Sequence, residues 1–410
     1  MPVREGETAP MLLATAYGFC ILFGYYILRP VRDEISAADR GNLQVLWSAV
    51  FLVMLLAVPL YSAAVARWPR ATFVPLANRF FAANLLAFFA ALYLLPESAR
   101  VWIDRVFYVW TSVFALFVVT VFWGFVADLF RNEQGKRLFG FIAVGSSLGG
   151  IAGSSATALL AQHVPVFLLL LLAVVPLEAA ARLARALDAY ADRKSAALRC
   201  ETGEVGGSAW SGIAPVFRSP YLRRIALWLA LMTFASTILY FVQAHMVGEA
   251  FADRALRRAF LARLDFAVNL LTIVTQGLLT AHILHRIGVG LTLALVPAVA
   301  TVGFLSLGVH PLLATLVVVR VLYDSGRHAL AKPAREVLFT LVSREERYKS
   351  KAFIDAAVYR GGDLLSGWVY AGLAALGLSV AAIALVAAPV AVVWAVIGLG
   401  LGRAEERARR

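Results

Sequence analysis

Cysteine is nearly absent: the chain of 410 residues contains two, together with six histidines. Cys20 lies in an apolar run and Cys200 in a polar stretch, so neither a disulfide nor a metal site is expected. There is no phosphate-cradling Gly-Lys-Ser/Thr loop, no nucleophile elbow and no cluster with metal-ligand spacing. These absences argue against an enzyme, an ATP-driven pump and a bound cofactor. Charge is scarce as well. Charged residues make up 15% and hydrophobic residues 61%, more apolar surface than a soluble domain of this length needs. The net charge of +13 raises the question of nucleic acid. The sequence has no separate basic domain, no aromatic-interleaved basic stretch and no zinc-finger spacing, so no nucleic-acid partner is expected.

What is present is a series of long apolar runs, at 11–28, 43–66, 101–129, 164–181 and 379–402. Each is near or above the roughly 20 residues that cross a hydrocarbon core of about 30 Å at about 1.5 Å per residue. The runs are continuous and do not alternate with period two, which selects helices over a barrel. The pattern predicts an all-α polytopic membrane protein of about twelve transmembrane helices. They are expected over 11–32, 43–66, 73–95, 103–130, 137–162, 164–186, 222–248, 265–285, 287–308, 311–331, 352–376 and 379–402. After Tyr26, Ile27 and Leu28 comes Arg29-Pro30-Val31-Arg32-Asp33-Glu34, with no small-residue cleavage pattern, so the first run reads as an anchor.

One polar break, 187–221, divides the chain into two halves, 1–186 and 222–410. Arginine and lysine recur on one side of the bilayer, which places the break and both termini in the cytoplasm and the protein in the cell membrane. Arg254, Arg257, Arg258 and Arg263 fall on the outer side in this scheme, and suggest an interfacial amphipathic helix over 249–264. An internal repeat supports the two halves. When 133–153 is slid onto 347–367, Arg137 meets Lys351, Phe139 meets Phe353 and Gly153 meets Gly367. Two six-helix halves joined by a cytoplasmic linker describe the major facilitator fold, in which the halves rock about a central site. A monomer is expected.

Ionisable residues deep in a span are functional candidates by default, whereas arginines near helix ends can snorkel. Arg320 lies about nine residues, roughly 13 Å, past Pro311. Asp324, Arg327 and His328 share its face. That face either lines a cavity that binds an anion or couples protons, or holds an ion pair that only locks packing. Asp355, Arg360 and Asp363 follow Lys351 in the next-but-last span, with Gly361 and Gly362 weakening the helix there. Here too a structural Arg360–Asp363 pair is the alternative to a substrate or gating role. Arg29, Arg32, Asp33 and Glu34 cluster at the outer end of the first span, where Pro30 favours a bent or broken end. Snorkelling or a surface ion-pair cluster is the plain alternative. Arg79, Asp128 and Glu178 sit nearer helix ends and read as structural or snorkelling groups. Asn269 and Gln276 either line a pore or make interhelical hydrogen bonds. Gly145, Gly149 and Gly153 recur every fourth residue, a stripe that lets helices approach closely.

Several of these segments resemble the ATP/ADP translocase family of plastids and intracellular bacteria. Tyr25-Tyr26-Ile27-Leu28-Arg29-Pro30-Val31-Arg32-Asp33 is similar to the family's Leu-Arg-x-x-Lys-Asp stretch, with Arg32 in place of lysine. Phe122-Trp123-Gly124-Phe125-Val126-Ala127-Asp128 and Gln134-Gly135-Lys136-Arg137-Leu138-Phe139-Gly140 resemble two further segments of its first half. Tyr348-Lys349-Ser350-Lys351-Ala352-Phe353-Ile354-Asp355 is the most specific match, to Tyr-Lys-x-Lys-Ala-x-Ile-Asp, and Ala334-Arg335-Glu336-Val337-Leu338-Phe339 precedes it. The resemblance implies the major facilitator fold, exchange of nucleotides or related phosphorylated solutes, and no metal cofactor. One departure matters. Where the family has Ala-Arg-Leu-Gly-Lys, this chain has Tyr359-Arg360-Gly361-Gly362-Asp363, so a lysine has become a carboxylate.

The resulting expectation is a secondary transporter that moves a small organic anion, phosphorylated or nucleotide-like, across the lipid bilayer by alternating access. Arg29, Arg32, Arg320 and Arg360 are the expected anion contacts, because a guanidinium is a permanently charged planar fork suited to phosphate or carboxylate. Asp33, Asp324, His328, Lys351, Asp355 and Asp363 are the expected gating or coupling groups. The rivals are a proton-coupled exporter of an amphiphilic compound and a non-transporting membrane sensor or scaffold.

Overall fold

A computed structural model describes residues 7–130, 132–195, 213–342, 350–351 and 353–409. Most of the polar break, 196–212, lies outside these residues, as does most of the loop before Ser350. Helices account for the described architecture, and no strand occurs among the described residues. Apart from short turns and the six-residue helix Ile213–Arg218, they are in chain order α1 (Thr8–Ala38), α2 (Leu43–Arg67), α3 (Arg70–Leu94), α4 (Arg100–Leu129), α5 (Asn132–Leu160), α6 (Val166–Ser195), α7 (Pro220–Ala250), α8 (Arg254–Leu278) and α9 (Thr280–Val309). They continue with the two-part α10a (Leu313–Gly326) and α10b (Lys332–Leu338), α11 (Tyr359–Ala375) and α12 (Val380–Arg409).

Ten of these helices are long and apolar enough to cross a membrane. The remaining two of the expected spans are broken into shorter pieces. A five-residue π turn, Arg327–Ala331, separates α10a from α10b. A second, Ile354–Val358, precedes α11. Both interruptions lie beside the charged residues singled out from the sequence, where the membrane fold tolerates irregular backbone only if something else satisfies it.

Two boundaries differ from expectation, and both concern charge. The sequence suggests a bent or broken end for the first span at Pro30; it is not broken, because α1 stays helical through Pro30 to Ala38. The expected interfacial helix over 249–264 is not separate. Asp253 caps the backbone amide of Leu256 at 2.8 Å, and from Arg254 one unbroken helix runs to Leu278. Arg257 and Arg258 are 8% and 6% exposed, so they do not face an interface.

The described residues fall into two compact units. One takes its residues from Met1–Ala38, Leu52–Thr202 and Phe251–Phe266, the other from Asp39–Phe51, Gly203–Ala250 and Ala267–Arg410. In the first unit α1 packs along α5 and α6, and α3 along α6. The α1–α5 contact depends on the glycine stripe. A Cβ added at Gly145, Gly149 or Gly153 would run into Thr15, Phe19 or Phe23, respectively. In the second unit α9 packs along α12, and α7 lies against α11 and α12. Trp228 of α7 and Trp394 of α12 are fully buried there, with ring centroids 5.5 Å apart. Gly288, in the left-handed region at φ 75°, kinks α9 near its start.

Candidate functional site

In the first unit the end of α1 carries a chain of ion pairs. Arg29 is 15% exposed and reaches Asp265 of α8 at 3.4 Å, Asp33 at 3.8 Å and the hydroxyl of Tyr26 at 3.3 Å. Arg32 donates to the Tyr108 hydroxyl at 3.3 Å, stacks over the same ring at 4.8 Å and lies 3.8 Å from Asp33. Neither arginine snorkels, because both side chains are enclosed and engaged. Asp33 thus sits between two guanidinium groups of its own helix.

One residue on, Glu34 is 1% exposed and meets three arginines. Arg254 grips it in a bidentate fork at 2.8 and 3.0 Å, while Arg257 and Arg258 lie 3.8 Å away. Arg254 also donates to Asp104 at 2.7 Å, and Arg100 holds the same Asp104 at 3.2 Å. The sequence placed these arginines on the outer side, with Asp253 and Asp265 offsetting them only in part. Their spacing puts them on one helical face, and that face was the available signal for a buried acid. The identity of the acid, some 220 residues earlier in the chain, was not legible.

In the second unit Arg320 is 4% exposed and pairs with Asp324 at 2.9 Å. Asp324, itself 1% exposed, also holds Arg327 at 3.2 Å. Arg327 donates to Ser236 of α7 at 3.2 Å, is hydrogen-bonded to Tyr359 and lies 3.4 Å from the His328 ring. Arg327 is therefore the outward arm of a shared carboxylate and Arg320 the enclosed one. Arg360 is 30% exposed, stacks near Tyr359 and lies 3.8 Å from Asp363. Thr237 of α7 donates to the other Asp363 oxygen at 3.3 Å. Arg320, Arg327 and Arg360 are thus set against the carboxylates of Asp324 and Asp363.

Below this cluster the pairs change character. Arg335 of α10b holds Asp355 at 2.7 Å and lies 3.2 Å from Glu336, and Lys351 holds Glu336 at 2.6 Å. The Glu336 carboxylate lies between the Lys351 ammonium and the Arg335 guanidinium. Lys351 and Asp355 thus each have a partner on α10b, which sequence spacing did not assign. Arg79 is held in a bidentate fork by Glu178 at 2.8 and 2.9 Å, tying α3 to α6. Among the described residues no group of three or more His, Cys, Asp and Glu side chains is arranged to hold a metal ion.

No family profile and no curated protein matches the sequence. Solved structures match along nearly its whole length. The POT family transporter PepTSo shares 12% identity over 97% of this chain and 98% of its own, with a TM-score of 0.67. A bacterial homologue of the human lysosomal transporter Spinster shares 13% over 99% and 98%, at 0.57. The nucleoside transporter NupG shares 13% over 98% and 99%, at 0.58. The chain has the major facilitator fold. The two interrupted segments, α10a–α10b and the stretch through α11, therefore belong to an all-helical polytopic protein of the kind expected from the apolar runs.

Proposed function

We propose that the chain is a secondary transporter that moves a small organic anion by alternating access, and that the anion is phosphorylated or nucleotide-like. The observation that carries this reading is the arginine set of α10a–α10b and α11, three guanidinium groups set against two carboxylates inside an apolar helical unit. Ionised groups at such depth are costly and mark solute pathways. The fold shared with transporters, one of them a nucleoside transporter, supports the same reading, as does the motif resemblance to ATP/ADP translocases. Arg29, Arg32, Arg320 and Arg360 act as anion contacts, with Arg327 joining them because it is the arm of the Asp324 pair that reaches outward. Asp33, Asp324, His328, Lys351, Asp355 and Asp363 gate or couple. The halves 1–186 and 222–410 are joined by a cytoplasmic linker, with both termini on the same side of the cell membrane.

The test is uptake of radiolabelled AMP, ATP and dicarboxylates into proteoliposomes. AMP and carboxylates are expected to be taken up in preference to ATP, because Asp363 repels a second phosphate. Arg327→Gln and Arg360→Gln should each weaken AMP binding roughly 10- to 100-fold, the scale of about 1.5–3 kcal/mol for a hydrogen bond to a charged group. The folded fraction should stay unchanged. If the protein carries none of these solutes, the anion reading falls, and absence of any flux leaves the sensor or scaffold.

A second reading, proton coupling, is favoured by one observation. The Asp363 carboxylate, an ionisable acid within a membrane-type helix, lies 3.8 Å from Arg360 and accepts from the Thr237 hydroxyl at 3.3 Å. Asp363→Asn separates the two. Under charge balance it binds polyanions better and keeps exchange, whereas under proton carriage it loses pH-driven uptake and keeps counterflow.

A further inference from the structure

The π turn at Arg327–Ala331 has a cause in the sequence. Pro333 has no amide hydrogen, so the carbonyl of Ala329 lacks its donor four residues on, and in π register the carbonyl of His328 lacks its donor five residues on. The amide of Lys332 turns instead to the carbonyl of Arg327, the five-residue closure that defines the turn. Two carbonyls are left for other donors, and a buried carbonyl without one costs free energy. Both find side chains. Thr280, at the start of α9, donates to Ala329 at 2.8 Å, and Gln276, near the end of α8, donates to His328 at 3.3 Å.

The Thr280 contact differs from that of most threonines here, although Thr157 and Thr237 also reach across helices, to the Ile27 carbonyl at 3.4 Å and to Asp363 at 3.3 Å. Thr111, Thr120, Thr233, Thr292 and Thr301 each bond the carbonyl four residues back in their own helix. Thr280 is buried, and its hydroxyl lies 2.8 Å from the Ala329 carbonyl of a separate helix, where Pro333 supplies no amide, and 3.1 Å from the Thr275 carbonyl of α8, the shorter contact being the one to Ala329. The extra residue in a π turn also rotates the next stretch of helix by about 100°, one residue's share of a 3.6-residue turn. Arg327, the first residue of the turn, faces Ser236 and Asp324, whereas Arg335, two turns later and beyond the offset, faces Asp355.

We propose that Thr280, assisted by Gln276, is a positioning residue that holds this turn open and so aims Arg327 at the transported anion. The proposal rests on the anion reading for its functional half and on the hydrogen-bond geometry alone for its structural half. Two measurements on the full-length protein test the halves separately. The first is amide hydrogen exchange over the peptide containing 327–338. Thr280→Val should raise exchange there roughly tenfold or more, the effect of orphaning a buried carbonyl, with little change elsewhere. Thr280→Ser, which restores the hydroxyl, should return it to the original rate.

The second is AMP uptake. Thr280→Val should raise the apparent KM for AMP about tenfold, Thr280→Ser should rescue it, and Arg327→Gln should add little on top of Thr280→Val because both act on one contact. Should Thr280→Val fail to fold, Gln276→Leu is read in the same way with a smaller expected change, about threefold. Unchanged exchange, or failure of serine to rescue, reduces Thr280 to a packing residue. Changed exchange with unchanged AMP affinity overturns the aiming of Arg327. If the unsubstituted protein does not carry AMP, it is the anion reading that fails, and the exchange result still decides whether Thr280 holds the turn.

Discussion

Gly149→Leu should leave almost no folded protein. The position faces α1 so closely that even a Cβ would overlap the backbone carbonyl of Phe19. The obstacle is main chain and cannot rotate away. The neighbouring contacts repeat the geometry, Gly145 on Thr15 and Gly153 on Phe23, so one helix cannot shift to relieve one position without worsening the others. Overpacking a single core site costs about 1–3 kcal/mol when side chains can adjust. Separating two helices along the whole stripe costs more than that. The measurement is the monodisperse fraction in detergent after expression. Gly140→Ala is the control, since a Cβ there meets nothing within 4 Å, and alanine should if anything favour the helix. A normal yield of monodisperse Gly149→Leu would rule out close α1–α5 contact.

Glu34→Gln should be the most destabilising single change of charge. The carboxylate is 1% exposed and serves three arginines. Removing one side of a buried pair leaves the other uncompensated and typically costs about 3–5 kcal/mol. Asp104→Asn should cost less, because Arg254 then keeps Glu34 as a bidentate partner. The readout is the midpoint of thermal unfolding in detergent, compared across the two variants. Equal midpoints for Glu34→Gln and the unsubstituted protein would mean that the cluster does not hold the first unit together.

The sequence was most legible where apolar residues run without interruption. The expected 43–66 and 73–95 differ from α2 and α3 by a few residues at most. It was least legible where charge enters a helix. At 29–34 and again at 254–265 the density of charged residues reads as a helix end or an interface, because exposed charges belong in water. Here they continue the helices, since each has a partner inside the fold, Asp265 for Arg29 and Glu34 for Arg254. Within one helix the pairing could be read from spacing, as for Arg320 and Asp324 four residues apart. Between helices it could not. Nothing in the linear sequence distinguishes Arg335 with Asp355 from the other cations near that loop. The π turn before Pro333 was not foreseen either, since the span was expected to run unbroken over 311–331, and Gln276 and Thr280, which donate to its carbonyls, lie 52 and 49 residues earlier in the chain.

The arginine face of α8 also bears on how the chain is made. On an insertion scale, an arginine at the centre of a membrane helix costs about 2.5–3.5 kcal/mol, and less towards the interface. α8 begins with Arg254, Arg257 and Arg258 and adds Arg263 before its apolar portion. Threaded into a bilayer as an isolated segment, this stretch partitions poorly. Its counter-charges, Glu34 of α1 and Asp104 of α4, are synthesised much earlier. The order of synthesis therefore delivers the acids to the membrane first, and α8 enters as a client of helices already in place.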